Sequence, residues 1–246
     1  MERSHYQIFS PGRIAGVTTP NRLVRSATWD PSLLGSHQMT EEVLTLYRNL
    51  ALGGVGMIIT GGLPVYRERF PDEDSRQPTW MYGDLRVNGL EKMAEVVHAA
   101  NPACKIIAQL EVGYLEAGPS PISTPLSEHP LRELSPVEIE LIIDCFVEAI
   151  QDVRQTGFDG VQLHAAHGGL LSRFLSPYAN QRTDNFGGTA RKRVLIVHEI
   201  LARARKLVGN FPILIKMNCT DYLPGGLDLD NFPALAEEIV QTGVDA

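Results

Sequence analysis

Five short apolar runs, each ending in a polar residue and followed by a longer amphipathic stretch, limit what this chain can fold into more than any other feature. The runs are residues 23–28 (LVRSAT), 56–60 (GMIIT), 105–109 (KIIAQ), 160–164 (GVQLH) and 213–217 (ILIKM). Helical periodicity occupies residues 40–51, 85–99, 136–155, 190–208 and 231–241 between and after them. Ser135, Pro136 and Glu138 read as an N-cap, a first-turn proline and the glutamate of a capping box. Gly53, Gly157, Gly209 and Gly243 each follow a helical stretch, where a left-handed residue is wanted. Buried strands alternating with helices predict an α/β chain with a parallel sheet.

Two architectures meet that description, the doubly wound sheet and the (β/α) barrel. The strand ends favour the barrel. Thr28, Thr60, Gln109, His164 and Lys216 close the five runs, so polar groups gather at the carboxyl ends of the strands, where a barrel builds its active site. On a period of two, Gln162 and His164 share one face, and Leu214 shares a face with Lys216. A doubly wound nucleotide fold would show GxGxxG after the first strand, and "RSATWDPSLLGSHQ" has none. The expectation is a TIM (β/α)8-type barrel with about five complete βα units, residues 1–246 forming one incomplete domain. The chain stops at "QTGVDA", where a sixth strand would begin, and reads as short by about three units.

Composition narrows the function classes. With 43% hydrophobic and 21% charged residues, the chain is of ordinary globular composition. A formal charge of -7 argues against a nucleic-acid partner, whose phosphates need clustered Lys and Arg. No apolar run approaches the ~20 residues that span a bilayer, so no membrane partner is expected. "MERSHYQIFSPGRI" lacks an apolar leader core, which makes the cytoplasm the default location. Cys104, Cys145 and Cys219 are widely spaced and suit a reducing compartment. Cys104 and Cys145 read as packing residues.

Chemistry concentrates in "GVQLHAAHGGLLSRFLSP", residues 160–177, where His164 and His167 follow a strand. Metal ligands, packing residues and polar groups of a binding site are three readings of such a pair. The metal reading lacks a third ligand at a neighbouring strand end, and HExxH is missing.

The stretch "GFDGVQLHAAHGGLLSRFLSPYANQRTDNFGGTARKR" (157–193) resembles the old yellow enzyme family of NADH:flavin oxidoreductases, which includes 2,4-dienoyl-CoA reductase-like barrels. "NRLVRSA" (21–27), "LALGGVGMIITGG" (50–62), "AQL" (108–110) and "ILIKM" (213–217) extend the likeness from about residue 7 to the last. The resemblance implies an eight-stranded barrel carrying FMN, with NADH or NADPH as reductant. It implies an α,β-unsaturated carbonyl substrate, reduced by hydride transfer from flavin N5. Ser26, Ala27, Thr28 and Trp29 match the loop along the flavin, and Gly62 the small residue beside the ring. Gln109 matches the glutamine on the pyrimidine edge. Lys216 stands where many members carry arginine, a cation for the charge of reduced flavin. His164 and His167 match the catalytic pair that binds the substrate carbonyl. A homo-oligomer is a candidate assembly.

Three departures accompany the likeness. Gly169 stands where many members have the tyrosine that protonates the substrate, and Glu111 and Tyr114 replace a histidine and an arginine after the QL. Tyr114 is therefore a candidate substrate-side donor. The strands whose loops hold the FMN phosphate in the family are not in this sequence. The alternative expectation is a non-catalytic barrel fragment that keeps the motifs and does not hold FMN; a flavin-independent barrel enzyme using the histidines is a third. Arg182, Asp184, Gly187 and Gly188 are expected to fix the loop after the fourth strand, through salt bridging and tight turns, rather than to act in chemistry.

Overall fold

The computed structural model describes residues 6–28, 39–65, 85–112, 117–123 and 130–246. Trp29 and Tyr114 lie outside these residues, as do His5, His37, His129, Trp80 and the acidic run at 67–77.

A short hairpin opens the fold, β1 (Gly12–Ile14) against β2 (Val17–Thr19). Its two-residue turn is left-handed at both positions, with φ of 50° at Ala15 and 78° at Gly16, as a tight hairpin requires. The sequence reading missed it, because three-residue strands carry little periodicity. β3 (Val24–Arg25) begins the βα series and is shorter than the expected 23–28. The Arg25 guanidinium bonds the Ser26 carbonyl and the Thr28 hydroxyl, which satisfies those groups away from any ladder.

The remaining units follow in order: α1 (Glu41–Leu52), β4 (Met57–Pro64), α2 (Leu85–Ala100), β5 (Lys105–Glu111), β6 (Ala117–Gly118), β7 (Arg132–Glu133), α3 (Pro136–Gln155), β8 (Gly160–Ala165), α4 (Leu170–Leu175), α5 (Ala190–Val208), β9 (Ile213–Met217) and α6 (Phe232–Gln241). Among the described residues, β3, β4, β5, β8 and β9 form one five-stranded sheet, parallel throughout and in chain order. That succession is five neighbouring staves of a TIM-type barrel. β6 and β7 pair separately above it. At the chain's end, the Asp245 N–H donates to the Ile213 carbonyl at 2.9 Å and the Ile215 N–H to the Ala246 carbonyl at 2.9 Å. The last residues thus lie along the free edge of β9.

Side-chain caps mark the starts of α1, α5 and α3, while Gly53, expected to end α1 in a left-handed conformation, is right-handed at φ −65°. Thr40 accepts from the Val43 N–H, Thr189 from the Lys192 N–H, and Ser135 forms a reciprocal capping box with Glu138. The α3 and α5 limits match the sequence expectation residue for residue.

Alternation along the strands builds two cores. Ile58, Ile106, Ala108, Leu110, Val161 and Leu163 face the helices, meeting Tyr47, Met93, Phe146 and Ile196. Burying one such side chain contributes about 1.5–3 kcal/mol. Met57, Ile59, Ile107 and Leu214 face the other way, and Ala15 and Val17 of the hairpin pack onto them. This inner cluster supports the polar rows at the strand ends.

Candidate active site

A one-residue bulge in β4 sets the first row. Ile59 pairs with Ile107 while Gly62 pairs with Gln109, so β4 carries an extra residue at Thr60–Gly61. The Gly61 N–H donates to the Tyr47 hydroxyl at 3.2 Å. The Thr60 hydroxyl accepts from the Gln109 N–H at 3.0 Å and donates to the Gly61 carbonyl. Thr60 was expected in the ring of strand-end polar groups; it is instead fully buried within the bulge, and the strand runs on to Pro64. Thr28 follows the carboxyl end of β3, exposed and bonded by Arg25.

Gly62, Gln109, Gln162 and Leu214 then lie in register across four strands. Both glutamines are buried, and Gln109 Nε2 donates to Gln162 Oε1 at 2.8 Å.

One step towards the carboxyl ends, Glu111, His164 and Lys216 form a second row. His164 pairs with Lys216 in the ladder, and Glu111 lies two residues past Gln109, opposite His164. The Glu111 carboxylate oxygen Oε2 stands 3.7 Å from His164 Nε2. The same carboxyl leans over Gly62, where an added Cβ would lie 2.3 Å from its carbon. Gly62 is small because this carboxyl fills the space above it.

Burial sets the protonation of this row. Loss of solvent, then the neighbouring His167 and Lys216, pushes His164 down to about 4, so its imidazole is neutral at neutral pH. Burial holds the Glu111 carboxyl above its ordinary value. A separation of 3.7 Å exceeds hydrogen-bond range, and both shifts favour the uncharged forms. His164 is thus a neutral base, and burial moves the Glu111 carboxyl beside it in the direction of its acid form. The Nδ1 atom of His164 is buried and has no partner among the described residues, an omission that costs about 1–3 kcal/mol unless a ligand meets it.

His167 follows on a constrained turn. It is left-handed at φ 57°, and Gly168 after it at φ 75°, conformations that a side-chain-bearing residue resists. Neighbouring elements hold the turn in place. The His167 N–H donates to Asn218 Oδ1 at 3.1 Å, and Arg173 Nε donates to the Gly168 carbonyl at 2.7 Å. Arg173 also reaches the Ala117 carbonyl of β6 at 3.0 Å. The two imidazole rings come within 5.2 Å, inclined at 70°. Burial, then Lys216, lowers the His167 pKa as well. Gly169 caps α4 with ordinary extended angles, φ −61° and ψ 167°. The backbone does not demand a glycine there.

The FLSP-to-GG segment below the turn is tied by arginines. Arg182 bonds Asp184 at 2.5 Å and the Pro119 and Leu134 carbonyls at 3.0 and 2.7 Å. A Cβ on Gly187 would collide with Arg182 at 2.4 Å, and Gly188 has φ 92°.

The structure thus gathers Gly62, Gln109, His164, His167 and Lys216 at one end of the sheet. Ser26 and Thr28 sit exposed beyond β3, and Ala27 packs on the inner cluster. Glu111, Gln162 and Asn218 were not singled out as site residues. For the first two the signal was available, since a period of two from Gln109 and His164 lands on them. Among the described residues no group of three His, Cys, Asp or Glu side chains is placed to hold a metal ion, and no helix is long and apolar enough to cross a membrane.

Comparison with known proteins agrees with this fold. The chain is 30% identical to a metal reductase of Desulforamulus reducens over 97% of its own length and 36% of the relative's. It is 31% identical to an NADPH dehydrogenase of Bacillus cytotoxicus, covering 97% of this chain and 70% of that one. A solved 2-naphthoyl-CoA reductase, in complex with 2-naphthoyl-CoA, superposes with a TM-score of 0.82 at 24% identity, over 97% of this chain and 39% of that chain. The chain therefore spans little more than a third of two of these proteins. The profile of one family, NADH:flavin oxidoreductase / NADH oxidase, matches residues 7–245. The chain belongs to that family, and its fold matches that of solved old yellow enzymes.

Proposed function

We propose that this site reduces an activated alkene, of the α,β-unsaturated carbonyl class, at FMN recharged by NADH or NADPH. The observation that carries the reading is the histidine pair. His164 and His167 stand 5.2 Å apart at the end of β8, with the His164 Nδ1 buried and unmatched. Two neutral imidazoles each offer one N–H. Converging on a carbonyl oxygen, they stabilise the negative charge that gathers there as the conjugated double bond is reduced.

The residues present fit FMN. Gln109 presents an amide on the inner face, suited to the donor and acceptor edge of the pyrimidine ring. Lys216, in register with His164, supplies a cation for the electron-rich end of the reduced ring. Bound flavin supplies the hydride equivalent that the side chains themselves lack. The chain's own residues hold the ring, orient the carbonyl and keep the row dry. The NADPH dehydrogenase relative supports the reductant. The 2-naphthoyl-CoA of the structural neighbour, a conjugated thioester, supports a conjugated carbonyl ligand.

Purified chain mixed with FMN and freed of excess by gel filtration tests the reading. Retained visible flavin absorbance that bleaches with NADPH under anaerobic conditions is the expected result. Colourless protein after the same treatment would overturn it.

A further inference from the structure

Reducing a C=C bond requires a proton as well as a hydride equivalent, and the described residues offer few acids at the right place. His164 is held neutral by burial, and its N–H serves the carbonyl. Lys216 is the cation of the row. Gly169 carries no side chain. What remains on the inner face is Glu111, the last residue of β5.

We propose that Glu111 is the proton-donating acid of this site, giving its carboxyl proton to the α-carbon of the unsaturated carbonyl bound by His164 and His167. The proposal rests on the alkene-reductase reading above. Three features of position support it. The strand's alternation directs Glu111 to the same face as Gln109, one pleat nearer the open end. Its carboxyl lies 3.7 Å from His164 Nε2, beside the group that would hold the substrate oxygen. Its other side rests on Gly62, where the missing Cβ leaves room for it. Among the described residues, this carboxyl between a glycine and a neutral imidazole has no cation contact that would keep it ionised.

Among the described residues, the groups around Glu111 come from the neighbouring strands and one turn. β4 contributes Gly62, which is uncharged; β8 contributes Gln162 and His164; the following turn contributes His167; β9 contributes Lys216. Lys216 neighbours His164 in the ladder and not Glu111. Loss of solvent is what raises the Glu111 pKa, so its acid form persists further towards neutral pH than that of a surface glutamate.

The step balances. The β-carbon receives hydride from FMN reduced by NAD(P)H, the C=C electron pair moves onto the α-carbon and carbonyl oxygen, and the histidine N–H groups hold that charge. The O–H bond of Glu111 breaks as the α-carbon–hydrogen bond forms. The carboxylate left behind regains its proton from water.

Two measurements on the FMN-loaded chain test the assignment, with Glu111→Gln as an isosteric variant and 2-cyclohexen-1-one as the alkene. The first follows the His164 ring-proton NMR shift against pH, which reports the neighbouring carboxyl without turnover. Wild type should show an inflection above the ordinary glutamate range, absent in the variant. The second is reoxidation of reduced flavin by the enone, expected to slow by roughly 10²- to 10⁴-fold in the variant while its retained FMN equals that of wild type. Wild type that reacts, with a variant equally fast, would overturn the proposal alone, as would a wild-type curve with no inflection above the ordinary glutamate range. Wild type that binds FMN and ignores the enone would overturn the alkene-reductase reading, and the proposal with it.

Discussion

Glu111 and His164, on adjacent parallel strands, face each other across 3.7 Å in a part of the sheet that shifts both towards their uncharged forms. A surface carboxylate and imidazole at this spacing would attract as ions. Here desolvation outweighs that attraction, because each charge would have to exist with little water around it. In the proposed reaction the pair would supply a hydrogen-bond donor and a proton source side by side.

Gly62→Ala tests the space that the pair requires. The new Cβ would meet the Glu111 carboxyl at 2.3–2.6 Å, but that group ends a flexible side chain and can swing away. The expected outcome is a folded protein, destabilised by less than about 1 kcal/mol, with Glu111 displaced from His164. Thermal denaturation should change little, while enone reduction falls as it does for Glu111→Gln. Full activity in a folded Gly62→Ala protein would show that the carboxyl's position over β4 does not matter.

Tyr47→Phe tests the bulge that sets the rows. Its hydroxyl accepts from the buried Gly61 N–H, and removing it leaves that donor unpaired at a cost of about 1–3 kcal/mol. Urea unfolding should shift to a lower midpoint with an unchanged slope. An unchanged midpoint would mean that the bulge does not depend on this bond.

Acid stability should depend on Glu138. Its hydrogen bond to Arg132 comes first among the causes that lower its pKa from 4.5 to about 2, and the capping-box bonds to Ser135 add to it. A depressed folded-state value stabilises the fold above the unfolded value and is lost as pH falls through the folded one. Glu138→Gln should therefore melt below wild type near pH ~6, with the gap closing between about 4.5 and about 2. A gap that stays constant over that range would assign the stability to the cap geometry alone.

The helices and the five main strands were legible because their signals are local. Ser135 and Glu138 mark a start within four residues, and strands such as KIIAQ are apolar enough to be buried on both faces. The turn at His167 was legible as a motif but not as a conformation, since its left-handed backbone depends on Asn218 and Arg173 from other elements. The β4 bulge was hidden for the same kind of reason. TGG permits an extra residue, but Tyr47 and Gln109 decide where it goes. Thr60 was consequently assigned to the polar ring and Glu111 was left out of it. A strict period of two, carried through β5 to its end, would have found Glu111. On β4 the same rule fails at the bulge.

The rate at which an enone reoxidises the flavin depends most directly on the histidine pair. FMN-loaded chain is reduced anaerobically with NADPH, 2-cyclohexen-1-one is added, and the return of oxidised flavin absorbance is timed for wild type and His164→Ala. Reoxidation by the enone is expected in wild type, with a return slowed by roughly 10²- to 10³-fold in the variant, the usual effect of losing one oxyanion donor. Equal rates in the two proteins would contradict it.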